Sequence, residues 1–158
     1  MIFQSFNLVS RSTALKNVLT ADVPDMPFFR VLLGIFTKEQ KMRALESLDK
    51  VGILDKAYTR CDQLSGGQQQ RVAIARAIAQ APPVILADEP TGNLDSNSTK
   101  EIMDILKGLH NEGRTVILIT HDNDIAAQAK RVIKIKDGKV ESDSGQIVPV
   151  EELQTAGA

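Results

Sequence analysis

The sequence predicts an α/β fold in which buried parallel strands alternate with helices. Two short segments, Val84–Ala87 and Thr115–Ile119, are apolar along their whole length. This is typical of strands that are covered on both faces of a parallel sheet. The segment between them carries apolar residues at helical spacing from Ser96, the expected cap, to Gly113. It therefore predicts an amphipathic helix that connects the two strands.

Composition limits the classes of function. The chain has 158 residues, 42% hydrophobic and 25% charged, which suits one globular domain. A net charge of −1 gives no electrostatic basis for nucleic-acid binding. One cysteine, Cys61, excludes an internal disulfide and fits a reducing compartment. Because no apolar run approaches the roughly 20 residues of a spanning helix, we expect a cytoplasmic chain that reaches the membrane through a partner.

The first third of the chain predicts short helices. Met1–Gln4 begins with a strand-like apolar run, as if the chain were entered midway. Thr13–Ala21 has helical apolar spacing, which Pro24 and Pro27 then interrupt. All five phenylalanines lie at or before Phe36. The rings near the end of this stretch either fill the core of a small subdomain or form an exposed interface.

A capping-box pattern begins at Thr37 and predicts a helix that ends at Gly52. Its expected apolar face consists of Met42, Leu45, Leu48 and Val51. A short helical turn is expected over Ile53–Tyr58.

Ser65, Gly66 and Gly67 open the next predicted helix. Glycines leave backbone N–H groups uncovered at a helix start, where the free donors and the helix dipole favour an anion. Ser65 can add a hydroxyl donor. The alternative is an ordinary serine cap followed by a tight turn.

Two adjacent carboxylates, Asp88 and Glu89, follow the first apolar strand. The carboxyl ends of parallel strands are where such sheets bind ligands. Asp88 suits Mg²⁺, and Glu89 suits polarising a water that attacks phosphorus. The alternative is a solvated strand end before a turn at Pro90.

The remaining segments complete the predicted fold. His121 follows the second strand, and Asp122–Ala129 is expected to be a short helix. Arg131–Lys136 predicts a strand that turns at Asp137–Gly138 into a hairpin. The tail from Ser142 is polar, and a final turn is expected at Val150–Leu153. No function is predicted for it.

Five motifs occur in one order and resemble those of the ATP-binding cassette ATPases. Leu64–Gln68 (LSGGQ) is similar to the signature motif, and Val84–Pro90 (VILADEP) is similar to the Walker B strand with its catalytic glutamate. Gly92–Asp95 resembles the D-loop, Ile119–Asp122 the switch-histidine segment, and Phe3–Gln4 the Q-loop.

The resemblance implies a P-loop NTPase core of mostly parallel strands with a helical signature subdomain. It divides the chain into a helical part at about 5–80, a core part at 81–145 and a tail at 146–158. The DEPTGNLD and THD segments are most similar to the ATPases of lipoprotein release and macrolide export. The segment 28–36 is similar to phosphonate importers, which is the alternative subfamily.

The family's chemistry implies ATP and Mg²⁺ as ligands and assigns a role to each motif residue. Glu89 and His121 would be catalytic, and Asp88 and Gln4 would hold the metal. The nucleotide-binding residues would be Ser65, Gly66, Gly67, Gln68, Gln4 and Asp95. The resemblance also implies a transmembrane permease and a second ATPase subunit packed head to tail as partners, on the cytoplasmic face of the membrane.

The family's Walker A loop has no counterpart in this sequence. Gly108–Thr115 imitates it with arginine in place of lysine, but this segment follows a helix and opens a strand, the reverse of a phosphate loop. We therefore expect an N-terminally truncated cassette with an open slot in its sheet and little ATP hydrolysis of its own. The alternative is a non-catalytic chain, either one that donates its signature motif to a partner or a remnant.

Overall fold

The computed structural model describes Ile2 and residues 6–145. It divides into two units, residues 1–119 and 120–158. The predictions for Gln4 and for a turn at 150–153 lie outside the described residues, and the predicted boundary near residue 80 stays a prediction.

Helices form most of the first 80 residues. They are α1 (Ala14–Leu19), α2 (Phe28–Leu32), α3 (Lys38–Lys50) and α4 (Gly66–Ile78). Short 3₁₀ segments cover Thr20–Asp25, Leu54–Lys56 and Cys61–Gln63. Helices α1, α3 and α4 pack against one another, and their shared core includes Val18, Leu48, Val72 and Ile74, all fully buried.

Helix α3 confirms the predicted cap and, apart from Met42, the predicted apolar face. The Thr37 side chain accepts from the Gln40 amide, and the Gln40 side chain accepts from the Thr37 amide. Met42 is 47% exposed, whereas Ala44 and Leu48 are buried. Val51 is also buried and Leu45 is half-buried, so the predicted face is correct except for Met42.

Helix α2 is exposed. Phe28 and Phe29 stack edge to face with ring centroids 5.8 Å apart, yet they are 72% and 75% exposed. Leu32 and Leu33 are each 69% exposed. The interpretation of these rings as subdomain core is therefore wrong, because the helices of that core pack without α2.

Strands β1 (Val84–Asp88) and β2 (Thr115–Ile119) pair in parallel, in register from Val84 opposite Thr115 to Asp88 opposite Ile119. On the other side of β1, Ile2 donates to the Leu86 carbonyl and accepts from the Asp88 amide. Within the described residues, β2 has β1 as its only ladder partner. The slot expected beyond β2 involves strands of different units and stays a prediction.

Burial on both faces of these strands was predicted, and it is found on one face only. Ile85 and Ala87 are buried, whereas Val84, Ile117 and Ile119 are 50%, 47% and 48% exposed. Because partners in a parallel register share a face, the exposed residues form one continuous surface. Helix α5 (Ser96–Asn111), which precedes β2 in the chain, contacts β2.

Helix α5 (Ser96–Asn111) lies between the strands in sequence, as predicted. Its cap is Asp95 and not Ser96, since the Asp95 carboxylate accepts from the amides of Asn97 and Ser98. Ile102, Leu106 and Leu109 are buried. The helix ends before Gly113, whose φ of +94° suits glycine.

The second unit contains a short helix and a hairpin. Helix α6 (Asn123–Ala126) is capped by Asp122, and it is shorter than the predicted helix. Strands β3 (Ile133–Lys136) and β4 (Lys139–Asp143) pair antiparallel. Asp137 and Gly138 have φ of +50° and +73°, which confirms the predicted two-residue hairpin turn.

Candidate functional site

The serine-glycine turn begins a helix of 13 residues and is fixed by a reciprocal cap. The Ser65 hydroxyl accepts from the Gln68 amide at 3.3 Å, and the Gln68 side chain accepts from the Ser65 amide at 3.0 Å. Accepting that bond leaves the hydroxyl hydrogen of Ser65 available to donate. Gln68 therefore shapes the turn, and Ser65 can both shape it and contact an anion.

The next two amides are the donors that such a turn offers to a ligand. In the part of the chain that the structure describes, the amides of Gly66 and Gly67 donate to no acceptor. Both stand at the positive end of the α4 dipole and carry no side chain that would cover them. The geometry therefore fits an anion such as a phosphate oxygen.

Gly67 also permits a close approach between α4 and α5. A Cβ placed on Gly67 would lie 2.6 Å from Ser98 Oγ and 2.9 Å from Ser98 Cβ. A Cβ on Gly66 would meet only Leu94 Cδ2 at 3.5 Å and Phe6 Cζ at 3.9 Å. Helix α4, the signature helix, therefore packs closely against the start of α5.

The end of β1 places its two carboxylates in different settings. Asp88 belongs to the strand and is half-buried. Glu89 follows the strand with φ of +45°, in the left-handed region that a glutamate seldom adopts. Its amide donates to the Ile119 carbonyl at 2.9 Å, which holds the turn against the end of β2. Such strain is concentrated at functional sites.

Asp95 accepts three hydrogen bonds at the start of α5. The amides of Asn97 and Ser98 and the Ser98 hydroxyl all donate to its carboxylate, at 3.0, 3.0 and 2.8 Å. These bonds, those from Ser98 first, lower the pKa of Asp95. The observed contacts of Asp95 are those of a helix cap, and its predicted contact with nucleotide stays a prediction.

Gln70 is a further residue of this region that the sequence reasoning missed. It is fully buried, and its Nε2 donates to the Pro90 carbonyl at 2.7 Å. Its position was a usable signal, because Gly67, Gln70 and Ile74 follow helical spacing on the buried face of α4. A glutamine on an apolar face indicates a specific hydrogen-bond partner.

The two arginines of α4 have different partners. Arg71 forms an ion pair with Glu101 of α5. Arg76 donates instead to the backbone carbonyls of Phe6 and Asn7. Arg76 therefore holds the segment before α1 against α4.

The structure connects the signature turn with the turn after β1 through Gly67 and Gln70. His121 lies in the second unit, where it is exposed. Gln4 lies outside the described residues. Among the residues that the structure describes, no three His, Cys, Asp or Glu side chains form a metal cluster. A single carboxylate such as Asp88 suits Mg²⁺, which usually keeps several waters and substrate phosphates as ligands.

A family model described as ABC transporter matches residues 1–92. This match covers more than half of the chain, and the chain belongs to the ABC transporter family. The prediction of an ATP-binding domain of this family is thereby confirmed. Among the described residues, no helix has the length and apolar character needed to cross a membrane.

The particular relatives are import proteins. The phosphonates import ATP-binding protein PhnC of Lactococcus lactis subsp. lactis (strain IL1403) is 54% identical over 145 residues, which are 90% of this chain and 59% of the relative. PhnC 1 of Halalkalibacterium halodurans is 53% identical over 145 residues, covering 90% and 56%. The chain thus spans less than two thirds of these relatives. Their names agree with the alternative subfamily, that of phosphonate importers.

Solved cassettes confirm the predicted fold class. The dimeric structure of MJ0796, a bacterial ABC transporter cassette, superposes with a TM-score of 0.73 at 44% identity and covers 90% of this chain and 60% of that one. A dimeric post-hydrolysis state of MJ0796 bound to ADP and Pi gives a TM-score of 0.72 at 43% identity, with the same coverage.

Proposed function

We propose that these residues belong to the ATP-binding subunit of an ABC importer and contribute to ATP hydrolysis. The observation that carries the proposal is the turn after β1, where Glu89 is held at φ of +45° beside the metal-suited Asp88. A strained backbone of this kind is retained where a side chain must be aimed. Asp88 would hold Mg²⁺, and Glu89 would accept a proton from the attacking water.

The turn at Ser65–Gly67, called the signature turn below, supports the proposed contribution to ATP hydrolysis. The amides of Gly66 and Gly67 and the Ser65 hydroxyl would donate to phosphate oxygens, which stabilises negative charge where it develops. His121 would contact the γ-phosphate, and Gln4 would contact the metal. In a head-to-tail pair these donors would act on the nucleotide of the second ATPase subunit. The transmembrane permease would be the other partner, on the cytoplasmic face of the membrane.

The proposal is tested by ATP hydrolysis in a chimera. The matching 145 residues of the Lactococcus lactis relative are replaced by those of this chain, and the chimera is assembled with its permease. Glu89→Gln should lower kcat by at least about a hundredfold, since a positioned base contributes about that much. Gln69→Met is the control, because among the described residues the Gln69 side chain bonds only the Leu64 carbonyl. Equal rates for both variants would overturn the catalytic assignment.

The transported substrate is proposed from the relatives. Their identity of 50–54% over 145 residues favours import of a phosphonate. A bacterial strain that carries the chimera as its only such ATPase should grow on a phosphonate as its sole phosphorus source. Growth on phosphate alone would contradict this substrate and leave the ATPase assignment untouched.

A further inference from the structure

The contact between Gln70 and Pro90 is the feature that the motifs do not explain. The Gln70 side chain is fully buried, and Nε2 lies 2.7 Å from the Pro90 carbonyl oxygen. A carbonyl oxygen only accepts, so the amide must present its NH₂ group there, and the reverse orientation would place two acceptors together. The orientation of Gln70 is therefore determined by Pro90.

This orientation has a cost. Gln70 Oε1 is buried and has no hydrogen-bond partner within the described part of the chain. An unsatisfied acceptor in the core is unfavourable, and an apolar side chain of the same shape would avoid it. Stability alone therefore does not explain a glutamine at this position.

The position of Pro90 gives the reason. Pro90 directly follows Glu89, whose amide is bonded to the Ile119 carbonyl and whose φ is +45°. Three residues before Gln70, Gly67 packs against Ser98 at the start of α5. The turn between β1 and α5 therefore contacts one face of α4 at both of its ends, through Gln70 at Pro90 and through Gly67 at Ser98.

We propose that Gln70 is a positioning residue that holds the Pro90–Thr91 peptide, one residue after Glu89, against helix α4, so that the signature turn and the Glu89 carboxylate move together. The catalytic meaning of this coupling rests on the proposed function. The contact itself does not, since it lies within one chain and needs no nucleotide. Binding of phosphate at the turn of one ATP site would then influence the carboxylate of the neighbouring site.

The first test uses amide hydrogen exchange in the 158-residue chain. Gln70→Met keeps the side-chain length and removes the donor. We expect the amides of Gly92 and Leu94, which bond within the turn to Glu89 and Thr91, to exchange at least about fivefold faster. Gln69→Met is the matched control, because Gln69 Nε2 donates to the Leu64 carbonyl and not to the turn between β1 and α5. Equal exchange in the two variants would overturn the proposal.

Gln70→Glu keeps the test decisive if the methionine variant does not fold. Its carboxyl group donates to the Pro90 carbonyl only when it is protonated. Protection of the turn amides, corrected for intrinsic exchange, should therefore increase as the pH falls in this variant and stay constant in the parent chain. Constant protection in both would overturn the proposal.

The second test uses ATP hydrolysis by the chimera. Gln70→Met should lower kcat about tenfold while KM for ATP stays within about twofold, because loss of the Gln70 hydrogen bond would misplace Glu89, whereas ATP binding would not involve Gln70 directly. A rise in KM alone would contradict a positioning role. If Glu89→Gln is harmless but the exchange result holds, the proposed function fails and the structural coupling stands.

Discussion

Two neighbouring residues at the start of α4, Gly66 and Gly67, have different surroundings. A side chain at Gly67 would collide with Ser98, whereas one at Gly66 would meet ordinary van der Waals contacts. Both glycines leave an amide uncovered, but only Gly67 is also required by packing. The family motif therefore combines a ligand requirement with a steric one.

Alanine at each glycine separates these requirements. Gly67→Ala should lower the free energy of unfolding by about 1–3 kcal/mol, because the methyl group overpacks the contact with Ser98. Gly66→Ala should be neutral or raise it by up to about 1 kcal/mol, since alanine is the better helix former. Urea unfolding followed by circular dichroism measures both. Adding Ser98→Gly should recover part of the loss at Gly67, and equal losses at the two glycines would contradict the assignment.

The thiol of Cys61 is expected to be unreactive. It is 1% exposed, and Asn17 Nδ2 lies 3.2 Å from its sulfur. Burial, the largest effect, raises the pKa of Cys61, so less thiolate is present at neutral pH. Alkylation should be at least about a hundredfold slower in the native chain than in urea, because it must wait for the core to open. Rapid labelling of the native chain would disprove this burial.

At the scale of elements, the β3–β4 hairpin depends on one ion pair that is sensitive to pH. Arg131 donates to the Asp143 carboxylate through Nε at 3.0 Å and Nη2 at 2.6 Å. These bonds, followed by one from the Gly145 amide, lower the pKa of Asp143 from 3.8 to about 2. The pair therefore stabilises the hairpin fully above pH 3.8, and this stabilisation is lost as the pH falls through about 2.

An NMR titration of the Asp143 carboxyl carbon tests this assignment. The midpoint should lie at about 2 in the parent chain and rise toward 3.8 in Arg131→Gln. Lys134→Gln removes a cation of β3 at a position that lies opposite Ser142, and it should leave the midpoint unchanged. A similar rise in both variants would indicate general electrostatics in place of the specific pair.

Elements were predictable where a local signal decided them. The cap at Thr37, the strand Thr115–Ile119 and the turn at Asp137–Gly138 were all correct. The cap of α5 was misplaced by one residue because Asp95 and Ser96 are both good capping residues, and only the chain geometry selects between them. Burial was harder, since Met42 and Phe29 are apolar but exposed, and pattern alone does not show which elements meet.

The residues of the candidate site also differ in how far the sequence predicts them. Ser65, Asp88 and Glu89 could be proposed from the sequence because their residue types and order suit phosphate and metal binding. Gln70 was not recognised, although its role follows from packing between α4 and the turn after β1. A residue that acts through a backbone carbonyl leaves little trace in a motif, so its identification required coordinates.

At the scale of the whole molecule, we expect the exposed face of strands β1 and β2 to promote association of the chain in solution. Val84, Ile117 and Ile119 expose about half of their surface on one face, and β2 pairs only with β1 among the described residues. Apolar patches and free strand edges both promote association. The exposed helix α2, with Phe28 and Phe29, is a competing source of association.

Sedimentation velocity at increasing concentration distinguishes these two surfaces. We expect the parent chain to form larger species and Ile117→Lys to shift it toward monomer, because a charge on an edge strand opposes further pairing. Phe29→Lys, which places the same charge on α2, should change the distribution much less. Loss of association in Phe29→Lys with none in Ile117→Lys would assign it to the aromatic helix. The exposed sheet face would then not be the surface through which the chains associate.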